Sequence, residues 1–148
     1  MAARLTIRPV YLPPLHLRTA SRVLLRVVVF EAQRFDQLER RAADVPWELY
    51  LPPGPVPVRA ALHHSRLYHS GAAAQRVRTA IQNRLTAAHP SGEAHPAPEA
   101  ACAVYLRAAH NRFTLSVDSS GAHLHRRGIK TWPGRAPLRE TLAAATLL

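Results

Sequence analysis

The sequence predicts an α/β fold, of the α+β kind, built on a mixed sheet. Three observations lead there. Apolar segments follow one another as strand, helix, strand, helix and then two strands, an order that suits a mixed sheet with helices packed on it. The segment 71–88 carries the strongest helical stripe in the chain. Residues 102–118 alternate in two runs around a short polar turn, the pattern of a hairpin.

Each element has its own local reason. Residues 22–31, RVLLRVVVFE, are rich in branched aliphatics and predict a buried strand. In 35–43, FDQLERRAA, Phe35, Leu38 and Ala42 recur at helical spacing with charges between them. A break follows at Asp44–Trp47, because Pro46 disfavours helical geometry at Val45. The Pro-rich stretch LPPGPVP reads as a loop leading into a short strand at 56–63, where Pro57 favours a strand start or an edge position.

The helix at 71–88 places Ala73, Val77, Ala80, Ile81, Leu85 and Ala88 on one stripe, with Ser70 as the expected N-cap. Pro90 ends it, and HPSGEAHPAPEA has the composition of a mobile loop. CAVYLRA at 102–108 and FTLSVD at 113–118 form the hairpin, turning through AHNR. DSSG then predicts a turn in which Asp118 bonds nearby backbone and Gly121 takes a positive φ. A last helix is expected over 137–148, with Leu138, Leu142, Ala145 and Leu148 on its apolar face.

Composition narrows the function classes. The chain has 148 residues, the size of one domain or one domain and a fragment. Of its apolar residues, 26 are Ala, while Leu, Ile, Val and Phe number 36, so the core is modest but sufficient for folding. No apolar run approaches the ~20 residues of a membrane span. The single Cys102 excludes a disulfide framework and a multi-cysteine metal site, and as the opening of an apolar strand it is expected to pack. Five Arg and no acid in residues 1–30 faintly resemble a transit segment, but Pro13 and Pro14 interrupt any amphipathic helix there, and a cytoplasmic location is expected.

Charge is the dominant global property. Twenty basic residues, all Arg except Lys130, stand against nine acidic ones, for a net charge of +11. Such a field favours a polyanionic partner, nucleic acid or an anionic surface; GC-rich coding also favours Arg over Lys.

The basic residues are not evenly placed. His123, His125, Arg126, Arg127 and Lys130 lie within eight positions, followed by Trp132. Arg and Lys neutralise phosphates, and Trp or His can stack on an unpaired base; the plainer role is a solvated basic loop. A second group surrounds the start of the 71–88 helix, where free N–H groups suit a phosphate. Arg66 and His69 precede it, and Arg76 and Arg78 follow within two turns. His69 serves equally well as a capping or packing residue. Nine histidines invite a metal, but neither His63-His64-x4-His69 nor His123-x-His125 has ligand spacing or a cysteine partner, so none is expected. Asp118 with Ser119, Ser120 and His123 lacks the strand–turn–helix setting of a nucleophile, and no catalytic residue is assigned.

Four segments carry a resemblance to a known family: LRTASRVLLRV at 17–27, SRLYHSGAAAQRVRTAI at 65–81, FTLSVDSSGAHLHRRGIK at 113–130 and APLRETLAAA at 136–145. Together they resemble the THUMP-bearing region of bacterial RNA methyltransferases, and in particular the enzymes that methylate the exocyclic amine (N2) of guanine in large-subunit ribosomal RNA. The resemblance implies an incomplete ferredoxin-like region at 1–31, a THUMP-like RNA-binding domain at 32–132, and at 133–148 a linker with the first helix of a methyltransferase domain. No Gly-rich S-adenosylmethionine loop and no Asn-Pro-Pro-aromatic motif occur in these residues. The implied role is therefore to dock structured RNA, ribosomal RNA in the resembled enzymes, for a catalytic domain supplied in cis or in trans, without enzymatic activity or a cofactor of its own. Arg66, His69, Arg76, Arg78, His125, Arg126, Arg127, Lys130 and Trp132 are the expected RNA contacts. The alternative from another class is an assembly module that completes its fold as a homodimer.

Overall fold

The computed structural model describes residues 20–89, 102–120 and 140–147. The chain divides into two compact units, one of residues 26–118 and one of residues 1–25 with 119–148. A mixed α/β fold is observed. The strands β1 (Leu24–Glu31), β2 (Val58–His63), β3 (Val104–Ala109) and β4 (Arg112–Asp118) form one sheet in the order β1-β4-β3-β2. The helices are α1 (Phe35–Ala43), α2 (Ser70–Ala88) and α3 (Glu140–Thr146), with a 3-10 turn at Trp47–Leu49.

β3 and β4 are an antiparallel hairpin, and β2 runs parallel to β3 with Val58 opposite Val104 and His63 opposite Ala109. A parallel pair needs a crossover, and α2 is the helix in it. Ala32 N–H donates to Asn111 O and Ser119 N–H to Val23 O, both at 3.1 Å, so β1 lies antiparallel to β4. The run at 22–31 is thus a strand, as expected, but half-buried rather than buried. Its place at the end of the strand order gives it one neighbour instead of two.

Alternation sorts the sheet into two faces. Val58, Val104, Leu106, Ala108, Phe113, Leu115 and Val117 are buried in the core, and Phe30 stacks on Phe113 with ring centroids 6.0 Å apart. From α2 the core receives Ala73, Val77, Ala80, Ile81 and Leu85; Ala88, at the helix end, is exposed. Burial of Val77, Ile81 and Leu85 contributes about 1.5–3 kcal/mol each. The N-cap is His69 rather than Ser70: Ala73 N–H bonds His69 O at 3.0 Å, which makes Ser70 the first helical residue. His69 makes no side-chain cap bond.

α1 buries Leu38 and Ala42 and half-buries Phe35. Gln37 Oε1 accepts from Gln33 N–H at 2.9 Å, which satisfies one donor at the helix start. At its other end the fully buried Trp47 donates Nε1–H to Ala42 O at 2.7 Å. That single bond satisfies both the indole and one of the terminal carbonyls a helix leaves unpaired. Two ion pairs fasten α2 to the preceding segment: Arg76 to Glu39 at 2.8 Å and Arg84 to Glu48, bidentate, at 2.8 and 3.2 Å. The Arg84 hydrogen bonds hold the Glu48 carboxyl below its ordinary value, and Glu48 raises the guanidinium in turn.

Asp118 closes β4, as the strand expected at 113–118 required, and is buried. Its N–H donates to Ala103 O at 2.9 Å, which extends the hairpin ladder by one step. Cys102 is half-buried against the core. In α3 the buried residue is Thr141, while Leu142 is 53% exposed and Ala145 is exposed, so the apolar face expected there is not the inward one. A helix of seven residues rich in Ala has faces of similar polarity, so its spacing does not fix which face turns inward. Residues 90–101, Gly121 and Leu138 lie outside the described residues.

Candidate nucleic-acid interface

Three loops meet at the end of the sheet where α2 begins. They are the β1–α1 loop at 32–34, the β2–α2 loop at 64–69 and the two-residue turn between β3 and β4. That turn is His110-Asn111, with φ of 52° and 64°. Two consecutive positive φ values are the mark of a hairpin turn whose twist matches its strands, and Asn adopts them at low cost.

Asn111 joins the three loops. Its carbonyl accepts from Ala32 N–H at 3.1 Å, its Oδ1 from Arg66 N–H at 2.7 Å, and its N–H donates to Ser65 Oγ at 3.1 Å. Ser65 Oγ–H in turn donates to His63 O at 2.9 Å. His64 takes φ 45° in the same loop, and its ring meets that of His110 edge-on, centroids 5.4 Å apart. The result is a fixed scaffold that holds polar and aromatic side chains toward solvent. Arg66, His64, Tyr68, His69 and His110 are all exposed, and Tyr68 and His69 lie with ring centroids 4.2 Å apart.

The expected contact residues divide into three groups. Arg66 and His69 stand together on this loop edge, where Arg66 also donates to Gln33 Oε1 at 3.0 Å. Arg76 is exposed but already paired with Glu39, and Arg78 is half-buried with one bond to Gln75 Oε1 at 3.4 Å. His125, Arg126, Arg127, Lys130 and Trp132 lie outside the described residues. Among the described residues no group of three or more His, Cys, Asp or Glu is arranged to hold a metal ion. No described helix is long and apolar enough to cross a membrane.

Sequence reasoning missed a second basic surface. The face of the sheet opposite the core carries exposed Arg59, Ala61 and His63 on β2, Arg107 and Ala109 on β3, and Arg112 on β4. Register brings them into adjacent rows: Ala61, Arg107 and Thr114 in one, and His63, Ala109 and Arg112 in the next. An open depression of about 410 Å³ lies over these two rows. The signal available in the sequence was the alternation itself, which puts Arg59, Arg107 and Arg112 out of phase with the core positions. Without the strand order nothing showed that they share a face.

Comparisons with known proteins agree on one kind of relative. Ribosomal RNA large subunit methyltransferase K/L of Syntrophotalea carbinolica is 38% identical over 132 residues, 88% of this chain and 18% of that protein. The RNA methyltransferase candidate YpsC of Bacillus subtilis is 34% identical over 135 residues, 88% of this chain and 34% of that one. The crystal structure of a Listeria monocytogenes methylase, named for N6-adenine in DNA, superposes with a TM-score of 0.79 at 36% identity, over 90% of this chain and 36% of the other. No family model matches. The chain is therefore homologous, along most of its length, to one part of RNA methyltransferases. It spans 18% of the length of the first of these relatives and 34% of the second.

Proposed function

We propose that this chain is the THUMP-type RNA-binding region of a bacterial ribosomal RNA (guanine-N2) methyltransferase. It docks structured RNA so that a methyltransferase domain, which holds the S-adenosylmethionine, can reach its target base. The observation that carries this is the 38% identity to a ribosomal RNA methyltransferase over 132 residues. The geometry supports it: the loop edge built on Asn111 presents a guanidinium, imidazoles and a phenol beside the free N–H groups at the start of α2. Arg66 and residues 125–132 supply phosphate contacts, and Tyr68, His69 and Trp132 supply stacking surface. A division into a partial ferredoxin-like region (1–31), an RNA-binding domain (32–132) and a linker (133–148) goes with this role, as does a cytoplasmic location. The catalytic domain acts in cis or in trans, and these residues contribute binding, not methyl transfer.

The test is fluorescence anisotropy with a labelled hairpin of large-subunit ribosomal RNA. Arg66→Ala and the pair Arg126→Ala, Arg127→Ala weaken binding about three- to tenfold each, if each lost charge removes one phosphate contact. Arg40→Ala, exposed on α1, is the control and changes little. Equal effects of all these substitutions would mean that net charge alone governs binding and that the loop edge has no special part in it.

A further inference from the structure

The open face of the sheet raises a separate question, because its arginines share one surface with a depression between the strands. On the helical side Arg34, Arg76 and Arg84 are paired with Asp36, Glu39 and Glu48, while Arg40 and Arg41 on α1 face solvent. Among the described residues, the guanidinium groups of Arg59, Arg107 and Arg112 have neither an ion pair nor a hydrogen-bond partner. Unpaired arginines gathered on a folded surface repel one another, and an anion between them relieves that repulsion.

The shape adds a second constraint. The 410 Å³ depression is lined by the small side chains Ala61 and Ala109 together with Arg107, Arg112, Thr114 and His63; the register sets Ala109 beside both arginines, with Ala61 and His63 on the β2 side. That volume lies in the range of sites that take small organic groups, about 300–1,000 Å³. The register sets Arg107 opposite Thr114 and Arg112 opposite Ala109, so the two guanidiniums stand on neighbouring rows across the β3–β4 pair. The small apolar side chains of that lining suit the face of a planar base. Flanking guanidiniums suit a phosphodiester and can also stack on a base. A base in a duplex is not free to enter such a depression, whereas an unpaired one is. Among the described residues, Glu31, exposed at the end of β1, is the carboxylate that the β1–β4 pairing brings toward this end of the sheet.

We propose that this face is a second RNA site, which holds an unpaired nucleotide and its phosphodiester between Arg107 and Arg112. The site rests on the reading of the chain as an RNA-binding region, and it adds a single-stranded contact to the structured RNA held at the loop edge.

The test uses the whole chain and three probes: a five-nucleotide uridine-rich single strand of RNA, a blunt RNA hairpin, and free uridine 5′-monophosphate. The expected result is that wild-type protein binds both RNAs, and that the single strand shifts the NMR signals of Ala61, Ala109 and Thr114. Arg107→Gln with Arg112→Gln then lowers single-strand affinity about tenfold or more while hairpin affinity stays within about twofold. Both side chains are exposed, so the variant is expected to fold, and its unfolding midpoint checks this. Binding of the hairpin with no binding of the single strand overturns the second site and leaves the RNA-docking role standing. Binding of neither RNA overturns both. Equal losses for both RNAs in the double variant make the face part of one general footprint, and saturation by the free mononucleotide at the same concentrations makes it a nucleotide pocket; each overturns the proposal.

Discussion

Replacing Asn111 separates the scaffold of the loop edge from its contact residues. Asn111→Ala removes the Oδ1 acceptor of Arg66 N–H and puts an alanine at a φ of 64°. The lost hydrogen bond is worth about 0.5–1.5 kcal/mol. The left-handed conformation costs an ordinary L-residue about 1–2 kcal/mol, which Asn largely avoids. The two effects act at one residue and together destabilise the protein by roughly 2–3 kcal/mol. Asn111→Asp keeps both the acceptor and the tolerance of positive φ, and stays within about 1 kcal/mol of wild type. Asn111→Gly keeps the backbone conformation but not the bond, and falls between the two. Urea unfolding reads all three: with a slope of about 1–3 kcal/mol per molar, the alanine variant lowers the midpoint by roughly 1 M or more. Hydrogen exchange at the Arg66 amide adds a local readout, with protection lost in the Ala and Gly variants and kept in the Asp variant. An alanine variant within about 0.5 kcal/mol of wild type, the range of an ordinary surface change, refutes the reasoning.

Other expectations follow from the same contacts. Trp47→Phe leaves Ala42 O without its buried donor and a gap beside the core, and destabilises by about 2–4 kcal/mol in urea; a loss under about 1 kcal/mol contradicts the assigned bond. Glu48 is held below its ordinary value by Arg84, so the pair stabilises the fold above the unfolded-state value of Glu48, and this is lost as pH falls through the folded-state value. Arg84→Gln therefore flattens the decline in stability as pH falls below the ordinary glutamate range and raises the Glu48 titration seen by NMR; an unchanged titration contradicts the pairing. For Arg76, Glu39→Gln frees the guanidinium while Arg76→Ala removes it, so tighter RNA binding in the first and weaker in the second marks a phosphate contact. No change in either marks a clasp between α1 and α2 alone.

Much of the scaffold was legible because it rests on periodicity. The stripe of α2 fixed five of its buried residues, Ala73 to Leu85, and α1 and the β3–β4 hairpin fell where their spacing placed them. Short apolar runs were less informative. RVLLRVVVF suits a central strand or an edge strand equally, and only the pairing order makes it an edge. The His69 cap and the rotation of α3 were also hidden, since spacing does not separate His69 from Ser70 as the cap and an Ala-rich helix has faces of similar polarity. The loop edge was half visible: Arg66 and His69 stood out beside a helix start, whereas Asn111 looked like one residue of a polar turn. Its role depends on contacts with residues 46 and 45 positions away, Ser65 and Arg66. The pairing of Arg76 with Glu39, 37 positions apart, was equally out of reach. The arginines of the open face were missed for the same reason: a shared face exists only once β2 is laid parallel to β3.

The salt dependence of RNA binding tests the central claim most directly. If this chain docks RNA through its excess of 20 basic over nine acidic residues, each phosphate contact releases counterions, and the affinity for a ribosomal RNA hairpin falls steeply as salt rises. A plot of log affinity against log salt concentration then has a slope of roughly −3 to −6, with about 0.7–0.9 of it per phosphate contacted, and replacing Arg66 makes the slope shallower by about that much. A slope near zero, or no binding at any salt concentration, contradicts the account.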